Sequence, residues 1–234
     1  MRWILILVFL WGGSEMTTSP QASQEKAAEE WQWLFQGETT AGWRGFRQKS
    51  FPAKGWVVED GCLKHQKDGG GGDLVTVEQY ENFELSFEWR LGPGANSGIK
   101  YLITEDRSQA VGIEYQLWDQ TRGRTARNEA PGIHSTAAAY DLLAPSNADI
   151  KIDGQFNQSR IIVQGKHVEH WLNGQRVLAF ELESPELKAA IAKSKFKGVP
   201  GFGEKIRAHI LLQDHGGEVW FRQLKIRRLP EIKK

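Results

Sequence analysis

The chain has 234 residues, 40% of them hydrophobic and 25% charged, which suffices for a sizeable core and is too apolar for a disordered protein. Thirty basic residues nearly cancel 29 acidic ones, so charge gives no support for nucleic-acid binding. A single cysteine, Cys62, excludes an intramolecular disulfide framework and any multi-cysteine zinc site.

Met1-Arg2 is followed by nine mostly apolar residues, Trp3 to Trp11, and then Gly12-Gly13. That layout predicts a secretory signal peptide over 1–22, since a membrane span needs roughly 20 apolar residues. Polar residues 23–30 read as a linker to one domain over 31–230. The expected location is outside the cytoplasm, periplasmic or secreted, with no membrane span after cleavage. From Trp31 onward, short apolar runs alternate with Gly, Asn and Asp punctuation. Strands are predicted at Trp56–Glu59, Cys62–His65, Leu74–Thr76, Phe83–Arg90, Ser97–Ile103 and Ile113–Trp118. Five more follow at Ser159–Gln164, His167–Leu172, Gln175–Phe180, His209–Gln213 and Val219–Arg227. Only Pro185–Lys195 carries helical spacing. Ten tryptophans and 25 glycines fit the same picture, an all-β sandwich or jelly roll with one short surface helix. Gly69 to Gly72 is a turn and not a phosphate loop, because no Lys-Ser/Thr follows it.

Alternate strand residues point to opposite faces. Phe83, Leu85, Phe87 and Trp89 therefore form a core set opposite Glu84, Ser86, Glu88 and Arg90. Ile113, Tyr115 and Leu117 likewise oppose Glu114, Gln116 and Trp118, and Ile210 and Leu212 oppose His209, Leu211, Gln213 and His215. If these strands share a sheet, its outer face is a groove of Glu88, Glu114, Gln116, Trp118, Gln213 and His215. Carboxylates and amides suit sugar hydroxyls, an indole suits a pyranose face, and Glu88 with Glu114 could act as an acid and base pair. A plain solvated strand face is the alternative. Gly92 to Gly98 is a hairpin loop that either simply turns the chain or aims Asn96 at a ligand. Six histidines include no His-Glu-x-x-His spacing. His215 beside Asp214 is either an oriented imidazole or part of a turn. His170 shares parity with Val168 and Leu172, which makes it a core residue unless a bulge turns it outward, and leaves Glu169 and Trp171 outside.

The ordered motifs carry a resemblance. They run through Gly42-Trp-Arg44, Trp56-Val-Val-Glu-Asp-Gly61, Gly72-Asp-Leu-Val-Thr76, Phe83 to Arg90, Asn96-Ser-Gly-Ile99 and Gly112-Ile-Glu-Tyr-Gln-Leu-Trp-Asp119. They continue with Tyr140-Asp-Leu-Leu-Ala-Pro145, His167-Val-Glu-His-Trp-Leu-Asn-Gly174, Lys193-Ser-Lys-Phe196, Pro200-Gly-Phe-Gly203 and Leu212-Gln-Asp-His-Gly216. Over about residues 31 to 229 this resembles the 3-keto-disaccharide hydrolase domain family. The resemblance implies a concanavalin A-like (laminarinase-like) jelly roll of two antiparallel sheets, one of them concave and carrying the site. It also implies a saccharide substrate, cleaved after oxidation at C3 of the sugar.

A C3 ketone acidifies the C2 proton, so a base can form an enolate that expels the C1 leaving group, and water then adds. Such a route needs a base near neutral pKa, a partner for the enolate oxygen and an acid for the leaving oxygen. The resemblance makes Glu88, Glu114, His134 and His215 the candidate acids and bases. Asn96, Lys100, Gln116, Trp118, Asp119, Tyr140, Asp141, His170, Trp171 and Gln213 are the candidate substrate-binding residues. Lys100 or a divalent metal would serve the enolate; no cofactor is certain. A non-catalytic sugar-binding domain is the competing expectation. Many relatives carry Gly-Ala before the Tyr-Asp-Leu motif, where this chain has Ala137-Ala138-Ala139, so the loop holding Tyr140 and Asp141 is the expected point of difference.

Overall fold

The computed structural model describes residues 30–119, 130–151 and 154–232. The expected signal peptide and linker lie outside the described residues, apart from Glu30. The described strands are β1 Gln32–Phe35, β2 Trp43–Gly45, β3 Trp56–Glu59, β4 Cys62–His65, β5 Leu74–Thr76, β6 Phe83–Leu91 and β7 Asn96–Ile103. After them come β8 Ile113–Trp118, β9 Asn157–Gln164, β10 His167–Leu172, β11 Gln175–Glu181, helix α1 Pro185–Lys193, β12 His209–Leu212 and β13 Val219–Arg228.

Two antiparallel sheets face each other. The eight-stranded sheet runs β11-β10-β9-β6-β13-β4-β3, with β1 paired to β13, and the five-stranded sheet runs β2-β5-β12-β7-β8. Between them Phe83, Leu85, Phe87 and Trp89 of β6 meet Ile99, Tyr101, Ile113, Tyr115 and Leu117 of β7 and β8. Period-two alternation thus builds the core, and the fold is the expected all-β jelly roll with one short helix. Among the described residues no helix is long and apolar enough to cross a membrane.

Eleven expected strands form within a residue or two of their expected bounds, and two short ones, β1 and β2, go unforeseen. Both are brief and irregular: the pairing of β1 slips between Trp33 and Phe35, and β2 has three residues. Helix α1 starts on Ser184, whose side chain accepts from the Leu187 amide at 3.1 Å, with Pro185 in the first turn. It stops at Lys193, two residues short of expectation, because Ser194 takes an extended backbone and turns its amide back to the Ile191 carbonyl. One expectation fails outright. β6 belongs to the eight-stranded sheet and β7, β8 and β12 to the other, so the outer faces of Glu88 and Glu114 lie on opposite sides of the molecule.

Candidate active site

The outer face of the five-stranded sheet holds a cleft of about 410 Å³ lined by Asp73, Lys100, Glu114, Lys195, Phe196 and Gln213, among others. Register assembles its floor. Lys100 of β7 lies opposite Glu114 of β8 and beside Leu211 of β12, and Gly98 lies opposite Gln116. Glu114 is only 5% exposed. Its Oε2 is 3.9 Å from Lys100 Nζ; with the Gln116 amide assigned so that its nitrogen faces the neighbouring acceptors, that nitrogen donates to Glu114 Oε1 at 2.9 Å and to the Ser97 carbonyl at 3.1 Å. Burial pushes the Glu114 carboxyl up to about 7, against the opposing pull of the Lys100 and Lys195 ammonium groups.

The glycine at 98 is what lets that carboxyl lie flat. A Cβ there would stand 2.5 Å from Glu114 Oε1. Asp73, at the start of β5, is also raised by burial, and its carboxylate accepts from the Asp214 amide at 2.8 Å.

The walls come from loops. The β7–β8 connection supplies Gln109 to Val111, and the segment after α1 supplies Lys195, Phe196 and Val199. Arg107 ties the two, donating to the Val111 carbonyl at 3.1 Å and the Pro200 carbonyl at 2.8 Å. Lys195 arrives because its amide donates to Asp141 Oδ2 at 2.8 Å, and its ammonium lies 4.4 Å from the centre of the Tyr140 ring. His134 also packs on Tyr140, ring to ring at 4.9 Å, with its Nε2 2.9 Å from Asp141 Oδ1. Burial raises the Tyr140 hydroxyl, and the Glu114 charge raises it further. Hydrogen bonds to the Lys195 amide and to His134 hold the Asp141 carboxylate low, against burial that would raise it.

Of the expected residues, Lys100, Glu114 and Gln213 line this cleft; Gln116 bonds Glu114, Tyr140 and Asp141 touch Lys195, and His134 is joined to Asp141. Trp118 and Asn96 pair opposite each other farther along the same face. Asp119 accepts from the Gly94 amide at 2.6 Å at the neighbouring turn. His215 is exposed, close enough to Asp73 to favour its charged form. Asp214 does not orient His215: its Oδ1 is 2.9 Å from His65 Nε2, and it also receives the Gly72 and Gly216 amides.

Three expectations are corrected. Glu88 sits on the other sheet, bonded to Arg222 at 2.6 Å. Trp171 is on that sheet too, under the Arg160 guanidinium at 4.2 Å, with its indole N–H on Glu169. His170 is completely buried between the sheets, as its parity with Val168 and Leu172 requires, and cannot reach a ligand in the cleft. Asp73 and Lys195 are not among the expected site residues: Asp73 precedes β5, where alternation has not begun, and the sequence assigns Lys195 to the end of a helix that in fact stops at Lys193. Both stand inside the motifs Gly72-Asp-Leu-Val-Thr76 and Lys193-Ser-Lys-Phe196, which is the available signal. Among the described residues no three His, Cys, Asp or Glu side chains converge to hold a metal ion, so no step below passes through one.

Residues 30–227 match the model of a 3-keto-alpha-glucoside-1,2-lyase-like domain. A 3-keto-disaccharide hydrolase of Bacteroides thetaiotaomicron is 32% identical over 225 residues, covering 84% of this chain and 77% of that protein. A crystal structure of a candidate glycosyl hydrolase from Parabacteroides distasonis superposes with a TM-score of 0.75 at 30% identity, covering 88% of this chain and 97% of that one. A second from the same organism gives 0.65 at 26% identity, covering 86% and 100%.

Proposed function

The chain belongs to the 3-keto-alpha-glucoside-1,2-lyase-like domain family and is a carbohydrate-acting hydrolase or lyase, and we propose that it cleaves 3-keto-glycosides by removing the proton at C2. The observation that carries this reading is Glu114, a buried carboxyl held near neutral pKa on the floor of a cleft lined by two ammonium groups. An ordinary glycoside needs strong acid assistance at the anomeric oxygen and, in most hydrolases, two facing carboxyl groups. A C–H flanked by a ketone asks for something different: a base of raised pKa and a cationic site for the oxygen that becomes an enolate.

In this reading Glu114 takes the C2 proton, which it holds well because its charged form is poorly solvated. Lys100 and Lys195 face the C3 oxygen, where negative charge develops. Gln116 fixes the carboxyl, and Gln213 and Asp73 receive sugar hydroxyls. His134, oriented by Asp141, donates a proton to the departing C1 oxygen and then takes one from the water that adds. The enolate re-forms the C3 ketone as the C2 electron pair becomes the C1–C2 double bond and the C1–O bond breaks; water then adds its oxygen at C1 while Glu114 returns its proton to C2, which gives the net hydrolysis. Tyr140, in contact with both His134 and Lys195, forms the wall for the ring. Export to the periplasm or beyond belongs to the same proposal, on the strength of the Trp3 to Trp11 apolar run.

The test uses a 3-keto-glucoside bearing a chromogenic leaving group, its unoxidised parent, and the keto substrate deuterated at C2. Release from the keto compound alone, slowed by deuterium, is expected. Release from the parent alone, or binding of both without release, overturns the proposal.

A further inference from the structure

The loop that carries His134, Tyr140 and Asp141 is held from an unexpected direction. Ala137 N donates to the Gln116 carbonyl at 2.9 Å, Gln116 N donates to the Ala138 carbonyl at 3.2 Å, and Tyr140 N donates to the Glu114 carbonyl at 3.0 Å. Residues 137–140 thus lie along β8, the strand that bears Glu114. Ala137 has a φ of 67°, a left-handed conformation that costs an alanine roughly 1 kcal/mol, so something must hold it.

That something reaches across the sandwich. His170, on β10 of the eight-stranded sheet, places its Nδ1 2.9 Å from the Ala137 carbonyl and its Nε2 2.8 Å from the Tyr101 hydroxyl. The carbonyl only accepts, so Nδ1 carries the proton and Nε2 accepts from Tyr101. Burial drives the imidazole down to about 4, which keeps it in this neutral form. Its ring is packed on every side by Tyr101, Tyr115 and Phe180, at 5.9, 4.8 and 6.0 Å between centres.

We infer that His170 is a positioning residue for the cleft, fixing the Ala137 carbonyl from the far sheet and through it the backbone that aims His134, Tyr140 and Asp141. The inference rests on the reading of the cleft as the active site. A core packing role would ask only for a side chain of this size. A positioning role asks for a donor toward Ala137 and an acceptor toward Tyr101 at once, and a glutamine amide can offer both.

The experiment compares His170→Phe with His170→Gln. Two quantities are read: kcat and KM on a 3-keto-glucoside, and hydrogen exchange of the Ala137, Ala138 and Tyr140 amides in the unliganded protein. We expect His170→Phe to lower kcat about 10- to 100-fold with KM within threefold, and to speed exchange in this loop alone. His170→Gln should recover most of both. A folded His170→Phe with native exchange and native kcat overturns the inference, as does a His170→Gln that recovers nothing. Should His170→Phe fail to fold, Tyr101→Phe removes only the donor to Nε2. It should loosen the same amides, and unchanged exchange there overturns the inference. Exchange needs no substrate, so it decides about His170 even if keto-glycosides prove not to be turned over.

Discussion

Two buried glutamates, one on each outer face, show how differently the same side chain can be used. Glu84, on the eight-stranded sheet, is 3% exposed and sits among guanidinium donors: Arg227 Nε at 2.8 Å and Nη2 at 2.5 Å, and Arg160 Nη1 at 3.0 Å. Glu114, on the five-stranded sheet, is equally covered but has one amide and one ammonium at 3.9 Å. The first carboxylate is saturated with charged donors. The second is underserved, and that is what leaves it reactive. Glu88, on the same strand face as Glu84, is likewise bonded by a guanidinium, that of Arg222, which itself stacks over Phe156 at 3.8 Å. Reactivity on this sandwich follows from what is withheld from a carboxyl, not from the carboxyl itself.

Swapping the two roles by mutation gives the sharpest test. Glu114→Gln should lower kcat by about 10³-fold, while Glu88→Gln should leave it within twofold; steady-state rates on a 3-keto-glucoside decide, and equal losses would break the contrast. Stability should move the opposite way. Removing Glu84 by Glu84→Ala strips two guanidinium groups of their partner and should cost about 2 kcal/mol, a discounted figure because both arginines are partly exposed. Glu114→Gln should instead stabilise. Its folded pKa of about 7 lies above the unfolded value, so the native state binds the extra proton between about pH 4.5 and 7 and loses stability as pH rises through that window. Relative to wild type, the variant should gain up to about 3 kcal/mol at pH 8 and nothing at pH 4, read from urea midpoints at the two pH values.

The same pKa gives a profile. A base must be unprotonated, so kcat/KM should climb tenfold per pH unit below about pH 7. Glu88→Gln should leave that limb in place. A small effect is also expected at His215→Ala. The imidazole is exposed and is not held by Asp214, so turnover should fall by less than threefold. A loss as large as that of Glu114→Gln would move the centre of the site toward His215.

The strands and their faces were legible because alternation is local: Phe83 to Trp89 and Ile113 to Leu117 announce which side is core without reference to anything else. Sheet membership was not legible, because it is decided by partners far along the chain. β6 pairs with β9 and β13, and β8 with β7, and nothing in the octet Phe83 to Arg90 records that. Grouping Glu88 with Glu114 followed from that missing information. Parity also correctly read His170 as inward: the register against β11 does shift between His170 and Trp171, but the shift leaves His170 buried, so a substrate-binding role for it fails. Glu114, Gln116 and Gln213 were readable as one face. Lys195 was not, because a capped helix and the Asp141 carboxylate bring it to the cleft from 54 residues farther along the chain than Asp141 itself.

Gly98 carries a practical consequence. Its backbone is ordinary strand, and the nearest obstacles to an added methyl are all side-chain atoms of Glu114, Oε1 at 2.5 Å and Cγ at 2.8 Å. A Gly98→Ala chain should therefore fold, with the carboxyl pushed out of line and the cleft's cations and amides left where they are. One carbon atom would then separate a catalyst from a receptor, turning this domain into a reagent that captures oxidised sugars without consuming them.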